Sequence, residues 1–192
     1  MNSASPAEWD QEHAVPIKVF FSYHHKLDHW RASQIREAAP IEGNSPASDS
    51  EWERVTEEGE FATERWINAQ LYGRTCLVLL IGPGTAGRKW VNYEINKAWA
   101  DNKGVVGVYV HNLKDRLGNQ SAKGANPFDR FMIDGGARRL SSVVKAYDPP
   151  YMTSPDVFKY ITTYIAEWVE EAIATRLKAD KEQHYRPAIR NV

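Results

Sequence analysis

Thr75-Cys76-Leu77-Val78-Leu79-Leu80-Ile81, closed by Gly82, is the stretch whose reading decides the fold. It has the length of a strand, almost no polar side chain and a glycine at its end. Continuous apolar strands are covered on both faces, which points to a mostly parallel sheet enclosed by helices. Ile17-Lys18-Val19-Phe20-Phe21-Ser22-Tyr23 and the run Val105 to Val110 read as two more strands, and a shorter fourth is expected at about residues 142–147. Helical patterns fall between them at 60–72 and 88–102, the second with Val91, Ile95, Ala98 and Trp99 on one face. A last helix is marked by Ser154 as N-cap, Pro155 in its first turn and the stripe Val157, Ile161, Tyr164, Ile165, Trp168, Ala172 and Ile173, and is expected to run to about Lys178. Strands alternating with helices predict a doubly wound α/β architecture, with ligands outside the carboxyl ends of the strands at a topological switch point.

The chain of 192 residues suits one domain. Residues 1–15 read as a polar tail, 16–178 as the domain and 179–192 as a second polar tail. Two irregular stretches, 37–59 and 112–130, adjoin the expected ligand edge, and loops of that length in a compact domain carry function or lack order. The 25 acidic and 24 basic residues nearly cancel, so neither a nucleic-acid partner nor an anionic membrane surface is expected. The single cysteine, Cys76, rules out an internal disulfide and reads as a small buried residue. No run reaches the ~20 apolar residues of a spanning helix. The first residues lack the basic start and apolar middle of a signal peptide, so a cytoplasmic location is expected.

Three patterns invite a chemical reading. Gly82-Pro83-Gly84-Thr85-Ala86-Gly87 satisfies G-x-G-x-x-G between a strand and a helix, but that fingerprint belongs to the first such turn, and the next strand ends in Val110-His111-Asn112 without the acidic residue that would hold a ribose. A plain glycine-rich loop is the preferred reading. His24, His25 and His29 with Asp28 imitate a metal cluster, yet adjacent histidines diverge; a strand-end loop is preferred and no metal is expected. In Arg88-Lys89-Trp90-Val91-Asn92-Tyr93-Glu94, spacing alone makes Glu94 a solvated partner of Lys97.

Val19-Phe20-Phe21-Ser22-Tyr23-His24, Trp90-Val91-x-x-Glu94 and Lys123-Gly124-x-Asn126-Pro127-Phe128-Asp129, taken in that order, resemble the bacterial TIR-like proteins of Thoeris anti-phage defence over roughly residues 17–150. The resemblance implies a flavodoxin-like (TIR-like) fold. It also implies an enzyme that consumes NAD⁺ as substrate rather than as redox cofactor, breaks the nicotinamide N-glycosidic bond and makes a cyclic or modified ADP-ribose signal for a separate effector protein. It carries the catalytic role to Glu94. Ser22, Tyr23 and His24 are then expected in the pocket wall, with Trp52, Trp90 or Tyr23 stacking on a base. Read without the family, Trp90 is helix–sheet packing, Trp52 a loop anchor, and Ser22 and Tyr23 a strand end. Other partners implied are a homo-oligomer, in which a neighbour's loop completes the site, and a phage-derived trigger. Arg88 departs from the family, which carries a small hydroxyl residue two positions before the tryptophan.

Two other functions compete. One is a non-catalytic TIR-like interaction module, since such folds serve both purposes. The other is a nicotinamide oxidoreductase built on the glycine loop.

Overall fold

The computed structural model describes residues 17–43, 49–182 and 190–191, so the expected tail at 1–15 and most of 179–192 lie outside the described residues. In chain order the strands are β1 (Lys18–Ser22), β2 (Glu42–Gly43), β3 (Cys76–Ile81), β4 (Gly104–Tyr109), β5 (Phe131–Ile133), β6 (Arg138–Arg139), β7 (Ala146–Tyr147) and β8 (Arg190–Asn191). The helices are α1 (His25–Ala38), α2 (Asp49–Glu57), α3 (Glu60–Leu71), α4 (Lys89–Ala100) and α5 (Ser154–Glu182).

The main sheet runs β2-β1-β3-β4-β7 with every pair parallel, the flavodoxin-like doubly wound order. Each residue of β3 is fully buried, as its continuous apolar run requires. The period of two then sorts the core. Phe20, Leu77, Leu79, Ile81 and Val105 face α3 and α4, whereas Val19, Phe21, Val78, Leu80, Val106 and Val108 face α1 and α5. Cys76 is a buried free thiol, and its burial pushes its pKa up. A small antiparallel sheet, β6-β5-β8, adjoins the main one in sequence. Among the described residues no helix is long and apolar enough to cross a membrane.

Several local expectations change. The segment read as irregular from 37 to 59 holds β2 and α2, with 44–48 outside the described residues. In α2, Val55 is buried and Trp52 half-buried at i, i+3 spacing, and the Thr63 hydroxyl donates to the Val55 carbonyl at 3.3 Å. The expected fourth strand shrinks to Ala146–Tyr147, because Leu140–Ser142 winds into a 3₁₀ turn and Val144 turns into the core. From His25 on, the residues after the first strand form α1 rather than a strand-end loop. Its inner face carries the buried ion pair Asp28–Arg31 at 3.0 Å, which breaks the apolar periodicity. Arg31 also donates to the carbonyls of Leu113 (2.9 Å) and Asn119 (3.1 Å), and so ties the irregular stretch 112–130 to α1. At the start of α5 the Thr153 hydroxyl accepts the Asp156 N–H at 3.4 Å, while the Ser154 hydroxyl accepts the Lys114 N–H at 3.0 Å instead. The helix extends to Glu182, four residues beyond the expected end.

Helix α5 approaches the start of β4 so closely that a Cβ on Gly104 would lie 2.8 Å from the Ile173 backbone nitrogen. Backbone gives way less readily than a side-chain tip, so Gly104→Ala is expected to destabilise the fold by about 1–3 kcal/mol. An unchanged urea midpoint for this variant would contradict the close packing of α5 on β4.

Candidate active site

A cavity of about 430 Å³ is bounded by the carboxyl end of β1, the first turns of α1 and α4, Trp52 of α2 and Trp66 of α3. Its volume lies within the ~300–1,000 Å³ usual for small-molecule sites. Its place follows from topology: the chain leaves β1 to form β2 on one side, then returns to form β3 on the other, and helices diverge to opposite faces at that reversal.

Glu94 is the acidic residue of the cavity wall and is 6% exposed. Helical spacing places it there, three residues after Val91 and four before Ala98 on the face of α4 that meets the sheet. The spacing-based expectation of a solvated pair with Lys97 fails, because Lys97 binds Asp101 one turn on, at 2.7 Å. The partner of Glu94 comes instead from 72 residues earlier: the Ser22 hydroxyl donates to Oε2 in a short hydrogen bond. Strand alternation directs Ser22, like Phe20, toward α4. Burial pushes the Glu94 carboxyl up to about 8, and the Ser22 hydrogen bond, which favours the ionised form, opposes part of that rise. At neutral pH the acid therefore holds a proton while its surroundings stay apolar. A cationic neighbour would release that proton.

Ser22 itself is buried behind Glu94 and does not border the cavity; it holds the acid rather than forming the wall. Tyr23, His24, Trp52 and Trp90 do border it. Tyr23 is buried, its ring 4.9 Å from that of His25. Trp52 lies on α2, stacked on His25 at 5.1 Å with the planes 1° apart, and meets Trp66 edge-on at 5.7 Å. Trp66 is held by its indole N–H, which donates to Glu51 at 3.1 Å. Trp90 is half-buried against the core, with Lys89 Nζ 4.8 Å above its ring and Tyr93 edge-on at 6.2 Å. His24 caps α1, its Nδ1 3.4 Å from the Leu27 N–H, while the Arg88 guanidinium contacts Nε2 closely. A guanidinium only donates and a neutral imidazole accepts at one nitrogen, so Nε2 is the acceptor, and the helix start is held by the His24 carbonyl, which accepts the N–H groups of Leu27 at 3.2 Å and Asp28 at 2.8 Å. Burial first, and the charge of Arg88 second, hold the His24 pKa below its usual value.

Sequence reasoning missed His25, Trp66 and the cations Lys26, Arg88 and Lys89 as cavity residues. A signal for Trp66 existed. It adjoins the buried Ile67 on α3, one position off the apolar stripe, where a large ring borders both core and solvent.

The three histidines hold no metal geometry: His24 caps α1, His25 stacks on Trp52, and among the described residues no group of three or more His, Cys, Asp or Glu is placed to hold an ion. The glycine loop is equally plain in role. The Gly82 N–H donates to Thr85 Oγ1 at 2.9 Å, a Cβ on Gly82 would fall 2.0 Å from the Asp28 carboxylate, and one on Gly124 would fall 2.0 Å from the Gly82 carbonyl. The absence of side chains at these glycines makes room for an acid and a carbonyl, which is a packing role. The Lys123–Asp129 motif thus packs on the loop that launches α4. Asn126 caps its 3₁₀ turn by accepting the Phe128 N–H at 3.0 Å, and the fully buried Phe128 uses the space left by Gly107.

The sequence model of the family described as "Thoeris protein ThsB, TIR-like domain" matches residues 20–115, half of the chain. "Putative cyclic ADP-D-ribose synthase ThsB1" of Bacillus cereus (strain MSX-D12) is 33% identical over 117 residues, 58% of this chain and 61% of that protein. The chain therefore spans about three fifths of the length of the curated relative it matches. Ser22, the whole of β3 and Glu94 all fall inside the matched segment, and the chain belongs to the ThsB TIR-like domain family of Thoeris proteins.

Proposed function

We propose that this chain is an NAD⁺-consuming enzyme that breaks the nicotinamide N-glycosidic bond and makes a cyclic or modified ADP-ribose. The observation that carries this reading is a buried carboxyl group, Glu94, held by Ser22 in the wall of an aromatic-lined cavity at the switch point. The cyclic ADP-ribose synthase activity in the relative's name supports the substrate and product class.

The nicotinamide ring of NAD⁺ is a cation, and its departure needs no proton: the C–N bonding pair returns to the ring nitrogen and neutralises it. Positive charge then develops on the ribose carbon and its ring oxygen. A carboxylate fixed beside that centre stabilises the transition state, and low local polarity strengthens the attraction. Glu94 is suited to the task because its fixed Ser22 contact leaves little reorganisation to be done. Stacking on Trp52 or Trp90 would hold a base in place. A second nucleophile then closes the reaction. Attack by an adenine nitrogen of the same molecule gives a cyclic product, whereas water gives linear ADP-ribose. We extend the reading to the family's wider logic, in which the product activates a separate effector in the cytoplasm, a phage-derived trigger starts turnover and a homo-oligomer completes the site.

Incubating the protein with NAD⁺ and following nicotinamide and ADP-ribose species by mass spectrometry tests the proposal. Glu94→Gln is expected to lower turnover by at least about 100-fold. Equal product from both proteins would remove Glu94 from the chemistry; no product from the wild type, with and without phage lysate, would favour the non-catalytic interaction module. Trp52→Ala is expected to raise KM by about tenfold, the scale of one base-stacking contact.

The pH profile follows from burial. Glu94 must lose its proton to act, so kcat/KM should rise with pH through an acid limb near 8, the value its burial sets. Removing the Ser22 hydroxyl takes away a bond that favours the ionised form, so Ser22→Ala should move that limb to higher pH. A limb that stays in place in Ser22→Ala would mean that another group controls it.

A further inference from the structure

The rim of the cavity carries more positive charge than the aromatic and acidic groups inside it account for. Lys26, Arg88 and Lys89 all border it, whereas its acid, Glu94, is kept protonated by burial. The three cations are not equivalent. Lys89 is bound to Glu60 and lies over Trp90, and Lys26 sits exposed on the first turn of α1. Arg88 is the N-cap residue of the twelve-residue α4, and among the described residues no carboxylate pairs with it. Its contact is Nε2 of His24, a neutral acceptor. Such a contact fixes the guanidinium without cancelling its charge and leaves most of its five N–H donors unused.

Position adds a second constraint. Glu94 lies six positions after Arg88 along α4, a rise of roughly 9 Å, a span that a ribose with its 5′-phosphate and a guanidinium contact can cover. A nucleotide whose sugar meets Glu94 would carry its phosphates toward Arg88, where the backbone N–H groups of the first turn of α4 add partial positive charge. Planar guanidinium groups bind phosphate oxygens in pairs, which a lysine does not reproduce.

We propose that Arg88, presented by His24, is the pyrophosphate-binding residue of the cavity and selects ligands that carry a diphosphate over bare nucleosides. This inference rests on the nucleotide reading of the same cavity. Trp52, Trp66 and Trp90 line the site and report on binding through tryptophan fluorescence, independently of turnover.

The test is titration of the wild type, Arg88→Ala and Arg88→Lys with ADP and with adenosine. Arg88→Ala should weaken ADP about 10- to 50-fold and leave adenosine within twofold, and Arg88→Lys should recover only part of the loss. Absence of an ADP response in the wild type, an ADP affinity unchanged in Arg88→Ala, or equal loss of ADP and adenosine would each overturn the assignment. The two proposals fail separately. Nicotinamide release by a wild type whose ADP affinity does not depend on Arg88 would leave the enzyme standing without this subsite. Arg88-dependent ADP binding with no nicotinamide release would leave a nucleotide-binding site without the chemistry.

Discussion

The hydrogen bond from Ser22 to Glu94 joins the end of the first strand to the second turn of the helix that follows the third, and most of the site depends on it. A carboxyl group loses its hydration when α4 closes on the sheet, and an unpartnered one there would be costly. One hydroxyl lowers that cost without supplying a counter-charge. The acid stays buried and uncompensated by a cation, its pKa raised to about 8, until something positive enters the cavity. A salt bridge to a lysine would have given a more stable carboxylate and a less responsive one.

The surroundings keep that balance. Gly82, packed on the Asp28 carboxylate, and Gly124, packed on the Gly82 carbonyl, fix the loop from which α4 starts. Asp28 is held in turn by Arg31, which also fixes Leu113 and Asn119. The conspicuous glycines thus act on the site at a distance, by setting where α4 begins. The aromatic wall is built from different elements, with His25 of α1 stacked on Trp52 of α2 and Trp52 edge-on to Trp66 of α3, so its shape depends on all three helices being in place.

How far this was legible in the sequence depends on how local the determinants are. The strands Cys76–Ile81 and Gly104–Tyr109 and the helix Lys89–Ala100 were readable because continuous apolar runs and a 3.6-residue stripe record burial directly. Helix α1 was hidden, since the face it buries carries Asp28 and Arg31, and α2 was hidden because few of its residues are apolar. Strand β2 pairs over two residues, too few to leave a pattern, and β7 was expected but longer, at about 142–147, than the two residues that pair. Glu94 shows the limit most clearly. Its neighbours in sequence suggest a solvated ion pair with Lys97, and only the family resemblance singled it out, because the group that holds it lies 72 residues away. Trp52 and Trp90 were named as base-stacking candidates and do border one cavity, but their companions His25 and Trp66 come from helical faces whose convergence is a property of the topology.

The account turns on whether the Glu94 carboxyl is the group that meets the cationic end of the substrate. Carbon-13 NMR of protein labelled at glutamate carboxyl carbons, with the Glu94 signal assigned by its absence in Glu94→Gln, reads this directly across a pH titration without and with NAD⁺. The account predicts a signal that titrates near pH 8 in the free protein and shifts to lower pH when NAD⁺ is bound. A Glu94 signal that titrates at an ordinary carboxylate pH, or one that NAD⁺ leaves unmoved at saturation, would contradict it.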